Sequence, residues 1–265
     1  MKLPNALFAP KILFVMTAGA MALCAQTAPP DFSGVYYPLS PFGRFTGGPR
    51  PGGGAAPQRQ GPPPRPTASA PLSDGSRGRA PDAPSLTPEY MAKWQVISKT
   101  RIAGSSEYDL TAKCLPPGMP GMMSMAYGME VMQTKDKITF FSELNDALRR
   151  VYLDGRKPSE KVLDDPTYAG YSTGHWEGDT LVVDTVALRD NTFIEGFTPH
   201  SDAMTVHERI RLKEPGLLED QITVTDPKAL TKPWETVKTY RKAKPGSGTD
   251  ELREFACAEG LGEAK

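Results

Sequence analysis

The chain has 265 residues with 31 basic and 31 acidic side chains and three histidines, so it is formally neutral at pH 7. A neutral chain has no long-range field with which to gather nucleic acid, and that class of partner is set aside. Hydrophobic residues make up 38% of the chain, enough for a core, while 27 Pro and 25 Gly point to long irregular stretches.

Residues 1–25 read as a secretory signal peptide. Lys2 and Lys11 precede the apolar stretch Ile12–Leu23, which is too short to span a bilayer comfortably, and small residues follow at Ala22, Cys24 and Ala25. Cleavage is expected after Ala25. Anchoring as a lipoprotein through Cys24 is the weaker reading, because Leu23 occupies a position where that signal takes a small residue. No later stretch is long and apolar enough for a transmembrane helix. The expected location is the periplasm or beyond. Of three cysteines, Cys114 and Cys257 then remain, and an exported protein with an even pair favours a disulfide over two buried free thiols.

Asp31–Tyr37, DFSGVYY, reads as an opening strand. Pro38–Leu86 follows with 12 Pro and 9 Gly, six Arg and two acids, and few large apolar side chains. Such a segment cannot offset its ordering entropy, and it is expected to be a disordered insertion. The β-barrel domain is assigned to residues 87–260, with the strand at 31–37 contributed from before the insertion. Thr87-Pro88 starts a helix, with Thr87 as its cap and Tyr90, Met91, Trp94 and Ile97 as the stripe facing the domain.

Cys114–Met132 holds six Met, at 119, 122, 123, 125, 129 and 132. Thioethers suit Cu(I), yet Pro116, Pro117, Pro120 and Gly121 make this stretch a loop. Filling an apolar gap or lining a ligand rim is the preferred role. The remainder is a run of strands: Met129–Gln133, Lys137–Glu143, Leu148–Leu153, the hairpin within Gly170–Leu188, Met204–Lys213, Leu218–Thr225, Trp234–Lys242 and Glu251–Ala256. With the opening strand these come to roughly ten, closely spaced and with no helix alternating among them. The fold class expected is all-β, an antiparallel meander closing into a lipocalin-like barrel with an internal cavity.

Side chains alternate across a strand, so polar residues can be assigned faces. In Met204–Leu212, Glu208 shares a face with Met204, Val206, Ile210 and Leu212. In Thr180–Leu188, Asp184 shares a face with Val182, Val186 and Leu188. Acids in apolar rows need partners or take up protons, and Arg150 is a candidate partner. Asp184, Glu208, His175 and His207 are therefore the candidate catalytic groups for acid/base chemistry. A buried bridge that merely pins the barrel is the competing role for each. The three histidines, His175, His200 and His207, have neither HxH nor HExxH spacing, and no metal or other cofactor is expected. His200-Ser201-Asp202 lacks the elbow and α/β alternation of a serine hydrolase.

The segments CLPPGMP (114–120), MEVMQTKDKI (129–138), RRVYLDGRKP (149–158), GHWEGDTLVVDT (174–185), PHSDAMTVHERIRL (199–212) and DPKALTKPW (226–234) together resemble a numerous family of secreted bacterial proteins. The resemblance spans roughly residues 110–257 plus the opening DFSGV. It implies export and carries no mechanism with it. DFSGVYY also resembles the first strand of lipocalin-like proteins, which often read Gly-x-Trp; here Gly34 is followed by Val35 and Tyr36.

The expected function is binding of a small, largely apolar molecule in the barrel, lined by Arg150, Tyr152, Trp176, Met122, Met123, Met125 and Tyr127. The alternatives are a lyase, isomerase or hydrolase using the same cavity, with Arg150 holding an anionic group, and a structural envelope protein whose partner surface is the Pro/Gly/Arg segment.

Overall fold

The computed structural model of the chain describes residues 28–39, 82–255 and 257. The signal peptide expected at 1–25 lies outside the described residues, as do residues 40–81 of the stretch expected to be a disordered insertion. The described ends of the Pro38–Leu86 stretch are packed. Pro38 closes the first strand, Leu86 is buried and bridges Leu230, and the Trp234 indole N–H donates to Asp82 O at 2.7 Å.

Nine strands close into a barrel in chain order. They are β1 (Gly34–Pro38), β2 (Met129–Gln133), β3 (Lys137–Ser142), β4 (Ala147–Tyr152), β5 (Tyr171–Glu177), β6 (Thr180–Val186), β7 (Thr205–Glu214), β8 (Leu217–Thr225) and β9 (Trp234–Lys242). The helix α1 spans Pro88–Ile102, and a single turn, α2, spans Glu160–Asp164. The all-β barrel expected from the strand spacing is therefore the architecture.

Two corrections come from the closure. A ring with an odd number of strands cannot alternate direction all the way round, so one neighbouring pair must run parallel. That pair is β4 and β5, joined only through Val151↔Ser172 and Tyr152↔Thr173. The long connection 153–170, which carries α2, crosses back along the barrel to make this possible. The meander is thus antiparallel everywhere except at this short seam. Secondly, Glu251–Phe255 is not a strand. The last strand among the described residues is β9, which pairs with β1 and leaves no edge for another. The Cys114–Cys257 disulfide, with Cα atoms 5.6 Å apart, ties the loop before β2 to the segment after the barrel.

The strand phases are set by burial. Tyr36, Ile138, Phe140, Val151, Leu181, Val183, Ile210, Leu218 and Ile222 all turn inward with essentially no exposed surface. Met119, Met122 and Met123 join the same core, and Tyr240 Oη donates to Met123 O. The methionine-rich loop therefore helps fill the core, the first of the two roles expected of it. α1 lays Tyr90 and Trp94 onto this core, as its apolar stripe requires. Thr87 stands at the N-cap but makes no side-chain cap; its hydroxyl donates to Lys228 O at 3.1 Å. Gly178, at the tip of the β5–β6 hairpin, has φ 63°, the left-handed backbone that a tight two-residue turn demands of its first residue. Gly170 (φ 67°) enters β5 so tightly that a Cβ there would lie 2.7 Å from Leu188, Thr185 and the Val186 carbonyl.

Candidate functional site

The chain places its polar groups in three settings: inside the barrel, on its outer wall, and around two open hollows. Inside, Arg149 is the organising residue. It is 1% exposed and sits on β4 facing Glu208 of β7, which is fully buried. Arg149 Nη1 donates to Glu208 Oε1 at 2.8 Å, and Nη2 makes a second bond to Oε2. Nη2 also donates to Thr185 Oγ1 at 3.0 Å and Nε to Ser172 Oγ at 3.1 Å. The fork geometry of the guanidinium serves a carboxylate and two hydroxyls at once, which compensates the burial of both charges.

Beside this pair lies Asp220 on β8, fully buried, with neither oxygen in a hydrogen bond among the described residues. Burial, and then the neighbouring Glu208 carboxylate, push the Asp220 carboxyl well above the ordinary range, which favours its protonated form. Tyr36 is buried with its hydroxyl unpartnered among the described residues, and burial pushes its phenol up to about 12. Lys238 forms an ion pair with Glu195 at 3.1 Å. Asp220, Arg149, Ser172 and Thr185 were not singled out from the sequence. Asp220 had a signal: Leu218, Asp220, Ile222 and Val224 form an apolar row with one acid in it, like the row around Glu208.

On the outer wall stand three of the four candidate catalytic residues. Asp184 is paired in register with His207, and its Oδ1 meets His207 Nδ1 at 2.8 Å, with side chains 63% and 45% exposed. His175, 62% exposed, contacts Glu177 at 3.3 Å, and Glu177 in turn accepts from Arg209 at 2.8 Å. Arg209 and then His175 hold the Glu177 carboxyl below its usual range. Only Glu208 points inward. Asp184 and Glu208 are on adjacent strands as expected, but on opposite faces, because Val183 rather than Asp184 is the register partner of Glu208. The four groups do not converge on one site. Arg150 is likewise corrected: the inward arginine of β4 is Arg149, and Arg150 is exposed on the outside.

His200 is buried elsewhere. Its Nδ1 donates to Ser201 O at 2.8 Å, and its Nε2 lies 2.7 Å from Thr192 Oγ1, whose hydroxyl also donates to Arg189 O at 3.0 Å. Burial depresses its pKa. Ser201 donates its backbone N–H and its hydroxyl to Asp226 at 2.6 and 2.7 Å, while Asp202 pairs with Lys228. This knot joins the β6–β7 and β8–β9 connections and presents no serine to a histidine base. Among the described residues no three His, Cys, Asp or Glu gather as a metal site.

Two open hollows stand out among the described residues. One, of about 360 Å³, lies along the outside of β4 at the parallel seam and is lined by Met122, Leu148, Arg150, Tyr152, Tyr168 and Tyr171 among others. It brings together three of the expected ligand residues, Arg150, Tyr152 and Met122. The Tyr152 and Tyr171 rings lie 5.3 Å apart, and Arg156 lies over Tyr152 at 4.2 Å. The Arg150 side chain makes no hydrogen bond or ion pair with any described residue. The other hollow, of about 350 Å³, is at the barrel mouth and is lined by Trp176. Of the remaining expected ligand residues, Met123 is buried in the core, Met125 is half-buried, and Tyr127 is exposed against Phe255.

No family model matches the chain, and no curated protein matches it. Among solved structures it is similar to the crystal structure of wild-type fluorescent protein UnaG, at 19% identity over 44% of this chain and 72% of that one, with a TM-score of 0.27. A variant of the same protein gives 18% identity over 51% and 86%, with a TM-score of 0.29. Scores of this size leave function to be argued from the site itself.

Proposed function

We propose that this is an exported protein that binds a small, largely apolar molecule bearing an anionic group. Its site is the hollow at the β4–β5 seam. The observation that carries the reading is the convergence of an uncompensated guanidinium, Arg150, with an apolar and aromatic wall of Met122, Leu148, Tyr152, Tyr168 and Tyr171. A few convergent polar groups in an apolar hollow of several hundred Å³ are what a small-molecule site requires. The seam supplies the room. Elsewhere neighbouring strands pair over three to nine residues, whereas β4 and β5 pair over two and the flanking loops form the walls. Export rests on the signal-peptide pattern and agrees with the Cys114–Cys257 bond, which favours an oxidising compartment.

Anilinonaphthalene sulfonate, an anionic aromatic dye, tests the site directly. Saturable one-site binding to the native protein is expected. Arg150→Leu should weaken it about tenfold, the equivalent of about 1.4 kcal/mol. Tyr152→Ala should weaken it further by removing the stacked wall. Affinity unchanged in both variants, with near-UV circular dichroism showing an intact fold, rejects the seam as the site.

A further inference from the structure

We propose that the barrel mouth is a second, separate site, for a neutral saccharide: Trp176 offers a flat indole floor while Asp31 and Lys135 stand beside it as acceptor and donor. The floor is rigid. Trp176 is an inward residue near the end of β5, and its ring packs edge-on against the fully buried ring of Phe32, with centroids 5.1 Å apart. Beneath the hollow, Gln133 fixes the approaching chain. Its side-chain oxygen accepts from Phe32 N at 2.9 Å and its amide donates to Pro30 O at 2.9 Å. The site thus has a built frame, held by the Gln133 side chain, that does not use the Trp176 N–H or the Lys135 ammonium.

Those groups are left over. The Trp176 indole N–H, the Lys135 ammonium and one oxygen of Asp31 have no hydrogen-bond partner among the described residues. The other Asp31 oxygen accepts from Ser33 N at 2.9 Å, and hydrogen bonds from Ser33 keep this carboxyl below its usual range, hence ionised. Lys242 is the further cation acting on Asp31.

The ligand class follows from charge and hydrogen bonding. Asp31 and Lys135 bring opposite charges to the hollow, so neither an anion nor a cation finds a uniformly complementary lining. Two donors and one acceptor call for a ligand that both accepts and donates at neighbouring atoms, which is the property of a hydroxyl. The indole face calls for an apolar plane on the same molecule. A pyranose meets all three demands, with C–H bonds on one face and hydroxyls around its rim. The mouth of a barrel is also a usual place for a small-molecule site.

The test uses the indole N–H resonances of the purified protein. The chain has three Trp, and Trp94 and Trp234 are buried, so Trp176→Phe assigns the signal of interest. Cellobiose, maltose and chitobiose are titrated separately up to 100 mM. At least one is expected to shift the Trp176 resonance saturably and leave the other two in place. Asp31→Asn should weaken that binding at least fivefold, and Arg150→Leu should leave it unchanged, which separates this site from the seam. No shift with any of the three sugars overturns the proposal. So does a shift of equal affinity in Asp31→Asn, or a saturable response to benzoate where the sugars give none.

Discussion

His207 and Glu208 are consecutive residues on β7, and each belongs to an acid–base pair reaching across the sheet. His207 meets Asp184 on the outer wall at 2.8 Å, with both side chains substantially exposed. Glu208 meets Arg149 inside the barrel, where neither is more than 1% exposed. The geometry is similar and the energetics are not. Outside, water solvates each group whether or not the partner is present, so the pair adds little. Inside, each charge is tolerable only because the other is there, and hydroxyls from Ser172 and Thr185 complete the donor set. One step along a strand separates a replaceable surface contact from a group whose partner cannot be removed.

The largest effect should come from breaking the inner pair on one side. Arg149→Met leaves Glu208 buried without its cation and should cost about 3–5 kcal/mol in urea unfolding. Arg149→Met with Glu208→Leu should recover most of that loss, because no orphan charge remains. A single variant that costs under about 1 kcal/mol would mean that the interior is wetter than its burial implies.

Asp220 sharpens the contrast by titrating. Its folded pKa is raised above the unfolded value, so between the two the native state binds the extra proton. Stability contributed by this group is fully present below about pH 4 and is lost as pH rises, with a slope of up to about 1.4 kcal/mol per pH unit. Asp220→Asn should flatten that slope in unfolding measured from pH 4 to 8. A slope that persists in the variant would place the proton elsewhere.

His200 works in the opposite direction and more weakly. Its folded pKa is depressed by burial, so the unfolded chain takes the proton first as pH falls. Stability should decline below about pH 6.5. His200→Asn should remove that decline without touching the alkaline limb that belongs to Asp220. Equal acid sensitivity in the variant would show that His200 is already solvated.

Much of the barrel was legible because strand spacing and turn residues are local properties. β2 and β9 fall where alternation placed them, and Glu208 stands in the apolar row that β7 presents inward. What was not legible was phase, where both faces of a strand look alike. In β4, Ala147-Arg149-Val151 and Leu148-Arg150-Tyr152 are equally apolar rows, each with one arginine. Only the position of Glu208 across the barrel decides that Arg149 goes in. In β6 the run Leu181-Val182-Val183 is buried throughout, so it hides which side Asp184 takes. The parallel seam was illegible for a different reason: it follows from the number of strands in the closed ring, which no single segment encodes. The extra strand at Glu251–Ala256 was a propensity without a partner, since β1 and β9 had already closed the sheet.

The smallest expected effect is the outer pair. Asp184→Asn and His207→Ala should each change stability by no more than about 0.5 kcal/mol, and their double-mutant cycle should give a coupling of similar size or less. Neither should change dye binding at the seam, which lies on other strands. The sequence singled out these same residues as acid/base groups, so the measurement bears on function as well as on folding. If either variant lost several kcal/mol, the outer wall would have to be covered in solution, and the exposed pair would mark an interface. If stability held but a co-purified compound ceased to be converted, Asp184 and His207 would form a catalytic dyad on the surface. The contrast between the two faces of β7 would then be one of chemistry rather than of burial.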